Sequence, residues 1–223
     1  VTSTSPGEGK TTTSANLAMS LAQMGKVLLI DADLRKPTLA KRFDIPVFHP
    51  GLSNLMIGTE QLAECVHVDT QSGVTIMPSG QIPSNPLELL SNPRFAELLS
   101  ELKAQYDHII VDTPPTQAVS DALVIAQSVD SVVYVVKSDI TRIKPITAGL
   151  ECLFHPSRLL PLHFHFHHTI SCLLMLPEFQ SYQFLLVHQL GWPMLPGNSP
   201  SNHNLQLASF RLRLAIFQQP LSE

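Results

Sequence analysis

Cysteine, positive charge and long apolar runs are all scarce in this 223-residue chain. Its three cysteines, Cys65, Cys152 and Cys172, match no zinc or disulfide spacing, and their scarcity fits a reducing compartment. With a net charge of −4, the chain lacks the excess of positive charge that is typical of nucleic-acid-binding proteins, so nucleic acid is not an expected partner. No apolar run reaches the ~18 residues that would predict a membrane span, and no signal peptide is evident. Residues 1–4 are interpreted as the end of a strand whose beginning is missing.

The last 73 residues contain no lysine and no aspartate. They carry six charged residues and seven histidines, whereas residues 1–150 carry 26 charged residues and three histidines. Folded surfaces normally draw on all four charged residue types. We therefore predict a folded domain over 1–150 and an atypical tail over 151–223 that is not native to it, as a shifted reading frame would produce. Within the tail, only Leu205–Phe217 predicts a short helix.

A glycine-rich segment near the start has the composition of a phosphate loop. Glycines let backbone N–H groups approach phosphate closely, and a helix N-terminus adds partial positive charge. Lys10 would neutralise the β- and γ-phosphates, and the Thr11 hydroxyl would bind Mg²⁺. Thr4 stands where the usual pattern has its first glycine, so the loop is a variant. The predicted nucleotide-binding residues are Ser5, Pro6, Gly7, Glu8, Gly9, Lys10, Thr11 and Thr12.

Apolar and amphipathic segments alternate along residues 1–150. Strands followed by helices predict an α/β, P-loop NTPase-like, mostly parallel sheet with helices on both faces, here incomplete at both ends. Pro93 after Asn92 predicts a capped helix start. Further helices are predicted over residues 10–24, 36–43 and 60–66, with Gly25 as a left-handed cap of the first.

Two apolar strands each deliver acidic residues at the predicted sheet edge that holds the phosphate loop. Asp31 and Asp33 follow the first strand, and Asp112 ends the second. Mg²⁺ prefers oxygen ligands, so this edge, with its carboxylates and the Thr11 hydroxyl, is predicted to bind Mg²⁺. A structural alternative makes Asp33 the cap of the helix that begins near Lys36. Asp107 and Asp121 are interpreted as solvated or capping residues, and Arg35 as a partner of either phosphate or a carboxylate.

Taken together, these segments resemble the bacterial tyrosine kinases of capsule and exopolysaccharide synthesis. The loop Ser5–Thr11 resembles their Walker A motif. Asp31, Asp33 and Arg35 match the Asp-x-Asp-x-Arg of their Walker A′ motif, and Asp112–Pro115 matches the Asp-Thr-Pro-Pro of their Walker B motif. The resemblance covers residues 1–150.

The resemblance implies an ATP- and Mg²⁺-dependent protein-tyrosine autokinase that regulates polysaccharide synthesis and export. Lys10 and Asp31 would be its catalytic residues, with Asp31 as the base that orients the tyrosine hydroxyl. Thr11, Asp33 and Asp112 would be the ligands of Mg²⁺ or of its waters. The implied partners are protein tyrosine substrates and a membrane activator, or polysaccharide copolymerase. Through that activator, or through a membrane domain missing from this sequence, the domain would lie on the cytoplasmic face of the plasma membrane. A homo-oligomer stays open.

Several departures from the family predict impaired activity. The chain has only Tyr106, Tyr134 and Tyr182, without the family's tyrosine-rich tail. It also lacks the helix used in ring assembly and any recognisable late strand after the helix that begins near Thr141. Two alternatives remain: a partition- or septum-positioning switch ATPase, whose usual extra loop lysine is absent at Ser5-Pro6, and an inactive fragment.

Overall fold

The computed structural model describes residues 1–137, 141–154, 169–175 and 185–188. Strands and helices alternate along residues 1–154, as predicted. The strands are β1 (Thr2–Ser3), β2 (Val27–Asp31), β3 (His67–Val68), β4 (Thr75–Met77), β5 (His108–Asp112), β6 (Ser131–Lys137), β7 (Thr169–Met175) and β8 (Leu185–His188). The helices are α1 (Lys10–Leu21), α2 (Leu39–Arg42), α3 (Leu52–Ile57), α4 (Pro86–Ser91), α5 (Pro93–Leu102), α6 (Asp121–Ile125) and α7 (Ile143–Phe154), with a 3₁₀ turn over Ala126–Ser128.

The strands form two four-stranded groups that meet at the first residue. Their orders are β3-β4-β2-β5 and β1-β6-β7-β8, and only β3 and β8 run antiparallel to their neighbours. Val1 joins the groups, because its N–H group donates to Val111 O at 2.6 Å and its carbonyl accepts from Thr113 N at 3.1 Å. The sheet therefore places β1 beside β5, and their carboxyl ends share one edge.

Helices cover both faces of the sheet, and β2 shows why. Its residues alternate between two cores because successive side chains of a strand point to opposite faces. Leu28 and Ile30 pack in one core with Phe95 of α5. Val27 and Leu29 pack in the other core with Ala15 and Ala18 of α1 and Leu39 of α2. The predicted fold class is confirmed.

One predicted helix start is confirmed in detail. The Asn92 side chain accepts a hydrogen bond from Arg94 N at 2.9 Å, and Pro93 is the first residue of α5. By contrast, residues 60–66 form turns, so the predicted helix there is wrong. Glu64 Oε2 accepts a hydrogen bond from Gln61 N at 2.9 Å, and the chain then extends so that His67 pairs with Ile76.

The predicted left-handed conformation of Gly25 is also wrong. It is not among the described glycines with positive φ, and α1 ends at Leu21, which leaves Met24 75% exposed. Gly25 instead meets a long-range neighbour, because an added Cβ would lie 2.7 Å from Asp107 Oδ2. That carboxylate accepts from Lys26 N at 2.8 Å, which is a structural role for Asp107.

In the tail, the structure places β7 parallel to β6 and β8 antiparallel to β7. The sequence pattern predicts no strand over these residues. The helix predicted over Leu205–Phe217 lies outside the described residues, and the domain boundary at 150 stays a prediction. Among the described residues, no helix is both long and apolar enough to cross a bilayer.

Candidate nucleotide and metal site

The phosphate loop joins β1 to α1 through two left-handed glycines. Gly7 has φ 81° and Gly9 has φ 93°, a region that side chains other than glycine rarely adopt. Gly9 is the N-cap of α1, and it supplies no side-chain oxygen to the first turn. The first turn of α1 also carries no acidic residue. Its backbone N–H groups are thus available to an anion, which is what a phosphate site requires.

The buried carboxylate of Glu8 stabilises the conformation of the phosphate loop. Glu8 is 3% exposed, and it accepts hydrogen bonds from Ser5 N at 2.5 Å and from the Thr141 hydroxyl. Its side chain is therefore engaged by the protein, which leaves its backbone as the group that could face a nucleotide.

Thr4 explains how the loop does without its usual first glycine. Among the described residues other than glycine, only Asp44 has a positive φ, so Thr4 needs no left-handed conformation. Its hydroxyl hydrogen-bonds the hydroxyl of Tyr134 at 2.9 Å. Tyr134 is fully buried in β6 and also bonds the Thr116 hydroxyl at 3.2 Å. The threonine thus ties the loop to the neighbouring strand.

Asp112 lies under the first turns of α1. Thr11 Oγ1 donates to Asp112 Oδ2 at 2.6 Å, and Ser14 Oγ donates to Asp112 Oδ1 at 2.9 Å. Burial raises the pKa of Asp112, and the Thr11 hydroxyl and the Lys10 charge oppose this shift. The sequence prediction that Asp112 and Thr11 lie together is confirmed in position, and the charge of Lys10 acts on the same carboxylate.

Asp31 is the register neighbour of Asp112 in the sheet. It is fully buried, and its Oδ2 accepts from Thr38 N at 3.1 Å and from Leu39 N at 3.0 Å. Burial raises the pKa of Asp31 to about 7, although the N–H groups of Leu39 and Thr38 oppose the shift. Its other oxygen accepts from Asp33 N at 3.3 Å. All three donors are backbone groups.

A hydroxyl bridge joins the surroundings of the two aspartates. Thr38 Oγ1 donates to Thr11 Oγ1 at 3.3 Å, and Thr11 in turn donates to Asp112. The structure therefore brings the phosphate loop and the acidic segments together at one sheet edge, as predicted.

The alternative interpretation, in which Asp33 caps the helix after β2, is only partly supported by the structure. Asp33 Oδ1 does accept from Lys36 N at 3.0 Å, but α2 begins only at Leu39. Asp31 rather than Asp33 accepts the N–H groups at that helix start. Asp33 is half-buried and close enough to Asp31 for its charge to raise the Asp31 pKa.

The interpretation of Asp121 as a solvated or capping residue is wrong, since the N-cap position of α6 is Ser120. Asp121 is fully buried and forms a two-pronged ion pair with Arg35. Of the two partners left open for Arg35, the structure shows a carboxylate. The sequence could not reveal this pair, because its members lie 86 residues apart.

Sequence reasoning also missed Ser14 and Thr38. Ser14 lies three residues after Thr11, and that helical spacing places both hydroxyls on the face of α1 that meets Asp112. No comparable sequence pattern marks Thr38, whose contact with Thr11 depends on how the chain after β2 turns back.

The oxygen donors fit a hard cation such as Mg²⁺. Asp112, Asp33 and the Thr11 hydroxyl are the ligand types that Mg²⁺ prefers. Among the described residues, no group of three or more His, Cys, Asp or Glu side chains could hold a metal alone. A cation here would complete its shell with phosphate oxygens and water, which is the usual pattern for nucleotide-bound Mg²⁺. The fold and this site define a P-loop NTPase-like domain.

Comparison with known proteins narrows the class. The model of an AAA-domain family matches residues 1–153. The tyrosine-protein kinase YwqD of Bacillus subtilis is 42% identical over 154 residues, which are 69% of this chain and 65% of YwqD. The crystal structure of the VpsO kinase domain is 53% identical, with a TM-score of 0.67, and covers 68% of this chain and 75% of that one. The chain belongs to the AAA-domain family and, within it, to the bacterial tyrosine-kinase domains.

Septum-positioning ATPases are more distant. The MinD protein of Pyrococcus horikoshii, solved with Mg-ADP, is 26% identical, with a TM-score of 0.54 over 65% of this chain and 60% of that one. The chain spans less than two thirds of the length of the curated relatives it matches, 65% of YwqD and 61% of the Streptococcus agalactiae kinase CpsD.

Proposed function

We propose that this chain binds Mg-ATP and transfers the γ-phosphoryl group to protein tyrosines in a system that makes capsule or exopolysaccharide. The observation that carries the proposal is the convergence of the phosphate loop, the Thr11–Asp112 pair and the Asp31–Asp33 segment at one sheet edge. Phosphoryl transfer depends on positioning and on charge neutralisation, and this arrangement supplies both.

Each residue has a role in this proposal. The loop from Ser5 to Thr12 holds the phosphates through backbone N–H groups, and Lys10 neutralises the β- and γ-phosphates. Thr11, Asp33 and Asp112 would hold Mg²⁺ directly or through its waters. Bound there, Mg²⁺ neutralises charge on the transferred group. None of these steps requires a covalent bond to the protein.

Asp31 is the proposed base for the tyrosine hydroxyl. A general base must come within hydrogen-bonding reach of the proton it accepts. In this structure Asp31 is fully buried, and Thr38 N and Leu39 N occupy one of its oxygens. A tyrosine hydroxyl therefore reaches Asp31 only when the segment from Asp33 to Thr38 shifts.

The proposed partner is a membrane activator, or polysaccharide copolymerase. The names of the relatives support a kinase domain, and one similar crystal structure is the chimeric protein CapA2B2, which is 37% identical to this chain. We place the domain at the cytoplasmic face of the plasma membrane, held there by the activator. Homo-oligomerisation belongs to the same proposal.

A peptide phosphorylation assay tests the function. The 223-residue chain is incubated with Mg-ATP and a tyrosine-rich peptide, and phosphotyrosine is measured by mass spectrometry. We expect phosphotyrosine from the wild type and a loss of at least about a hundredfold in Lys10→Met, because the phosphate charge is no longer neutralised. Lys26→Met is the matched control, since Lys26 is exposed and immediately precedes β2, at the strand end opposite to the one that carries Asp31.

The outcomes separate the alternatives. ATP hydrolysis without phosphotyrosine would contradict the kinase and support the switch ATPase. Failure to bind ATP would contradict both and support the inactive fragment.

A further inference from the structure

The ion pair between Arg35 and Asp121 has geometry that suits a fixed anchor. Arg35 Nε donates to Asp121 Oδ2 at 2.8 Å, and Arg35 Nη2 donates to Asp121 Oδ1 at 3.0 Å. Two parallel bonds fix orientation as well as distance. The guanidinium thus has a defined partner inside the protein.

Because Asp121 is buried, breaking its pair with Arg35 costs more stability than breaking an exposed ion pair does. Asp121 is fully buried in the first turn of α6, while the Arg35 side chain is 38% exposed. A buried carboxylate that loses its cation is strongly unfavourable. Exposed ion pairs such as Arg94–Glu101, with side chains 45% and 57% exposed, contribute little. Arg35 is therefore held to α6 far more firmly than a surface arginine would be.

The position of the pair connects the two acidic segments of the site. Arg35 follows Asp33 by two residues, in the segment between β2 and α2. Asp121 begins α6, which follows Asp112 after a short loop. The Asp33 carboxylate accepts a hydrogen bond from Lys36 N at 3.0 Å, and Lys36 is exposed. Because Arg35 lies two residues after Asp33, its ion pair with Asp121 restrains the chain on the C-terminal side of Asp33.

We propose that Arg35 is a positioning residue: its ion pair with Asp121 holds Asp33 where a nucleotide-bound Mg²⁺ needs it, and Arg35 makes no phosphate contact. The inference rests on the proposed function, because it assigns Asp33 to Mg²⁺. It adds Asp121, a residue outside the motifs, to the groups that determine the metal site.

The decisive variant is Asp121→Asn in the full chain. A fluorescent ATP analogue is titrated at increasing Mg²⁺ and, separately, with EDTA. Mutation of a residue that orients a metal ligand usually lowers the metal affinity by about 10- to 100-fold. We expect Asp121→Asn to raise the Mg²⁺ requirement by about that factor, with nucleotide binding in EDTA unchanged. Arg35→Lys, which can keep only a single bond, should show a smaller rise of the same kind.

Two further variants distinguish an effect on the Mg²⁺ requirement from a loss of folding. Arg35→Met with Asp121→Met leaves no buried charge alone, so it should melt cooperatively like the wild type and still show the raised Mg²⁺ requirement. Arg94→Lys, in the exposed pair, is the control and should change neither property.

A different pattern would overturn the inference. If Arg35 bound phosphate, Asp121→Asn would free the guanidinium and leave the affinity unchanged or higher, while Arg35→Lys would weaken binding even in EDTA. A wild type that binds no nucleotide would instead overturn the proposed function, and this inference with it. A wild type that binds Mg-ATP beside an unaffected Asp121→Asn overturns only the inference.

Discussion

The two buried aspartates at the sheet edge, Asp112 and Asp31, differ in what holds them. Two side-chain hydroxyls donate to Asp112, from Thr11 and Ser14. Three backbone N–H groups donate to Asp31. Burial raises the pKa of both carboxyls, so the contrast lies in the donors and not in the desolvation.

The difference determines what each carboxylate can do. A hydroxyl can rotate, and it can turn a lone pair toward a cation, so the partners of Asp112 can give way to Mg²⁺. A backbone N–H group moves only with the chain, so Asp31 is released only by a change in the segment before α2. In our proposal the partners of Asp112 make room for Mg²⁺, whereas Asp31, which anchors the start of α2 in this structure, acts as the base when that segment moves.

The largest expected effect comes from Asp112→Asn. The amide removes an anionic oxygen from the metal site, so we expect the affinity for Mg-ATP to fall by about a hundredfold or more. Binding in EDTA should change little, because the loop and Lys10 remain. Titration of a fluorescent ATP analogue with and without Mg²⁺ measures both. An unchanged Mg²⁺ dependence would remove Asp112 from the metal site.

Asp31→Ala should act on folding instead. It leaves the N–H groups of Thr38 and Leu39 without their acceptor, at a cost of about 2 kcal/mol in the free energy of unfolding. Urea denaturation without nucleotide measures this value. The matched variant Asp112→Ala should cost less, since the freed hydroxyls can find other acceptors and Ser14 already bonds Lys10 O. Equal losses would contradict the contrast between the two aspartates.

Individual residues show how much of the difference between Asp31 and Asp112 can be predicted from the sequence. The apolar run before Asp31 and the one before Asp112 predict strand ends at a common edge, and the register pair Asp31–Asp112 confirms that. Of the donors, Ser14 has a local signal, because it lies three residues after Thr11 on α1, whereas Thr38 reaches Thr11 across 27 residues without one. Local patterns predict where an acidic group lies, whereas long-range contacts decide what it does.

The wrong predictions have the same origin. Gly25 fits a helix cap by local rules, yet its neighbour is Asp107 of another segment. Asp121 fits a helix start by local rules, and it does begin α6, but Arg35 makes it a buried ion-pair partner. In each case the local rule left out the contact from a distant segment, and for Gly25 it also gave the wrong backbone conformation.

A smaller effect is expected from Ser14→Ala. Asp112 would lose one of its two hydroxyl donors, at a cost of about 1 kcal/mol in stability. Affinity for Mg-ATP should stay near the wild-type value, because Thr11 is the predicted metal ligand and Ser14 is not. Ser20→Ala is the control, since its exposed hydroxyl donates to Asn16 O of the same helix. A large loss of Mg-ATP affinity in Ser14→Ala would place Ser14 in the metal site.

The smallest effect should come from Thr38→Val, which removes the bridge between the two aspartates. Valine keeps the Thr38 N–H donor to Asp31 and loses only the hydroxyl on Thr11. Because Thr38 is exposed and the bond is 3.3 Å long, we expect a loss of about 0.5 kcal/mol in the free energy of unfolding. Combined with Ser14→Ala, the loss should be additive if the hydroxyls act independently. A combined loss that departs from the sum by more than about 0.5 kcal/mol would show that Thr38, Thr11, Ser14 and Asp112 form one coupled network. The two aspartates would then respond together, and nucleotide bound at Asp112 could loosen the segment that covers Asp31.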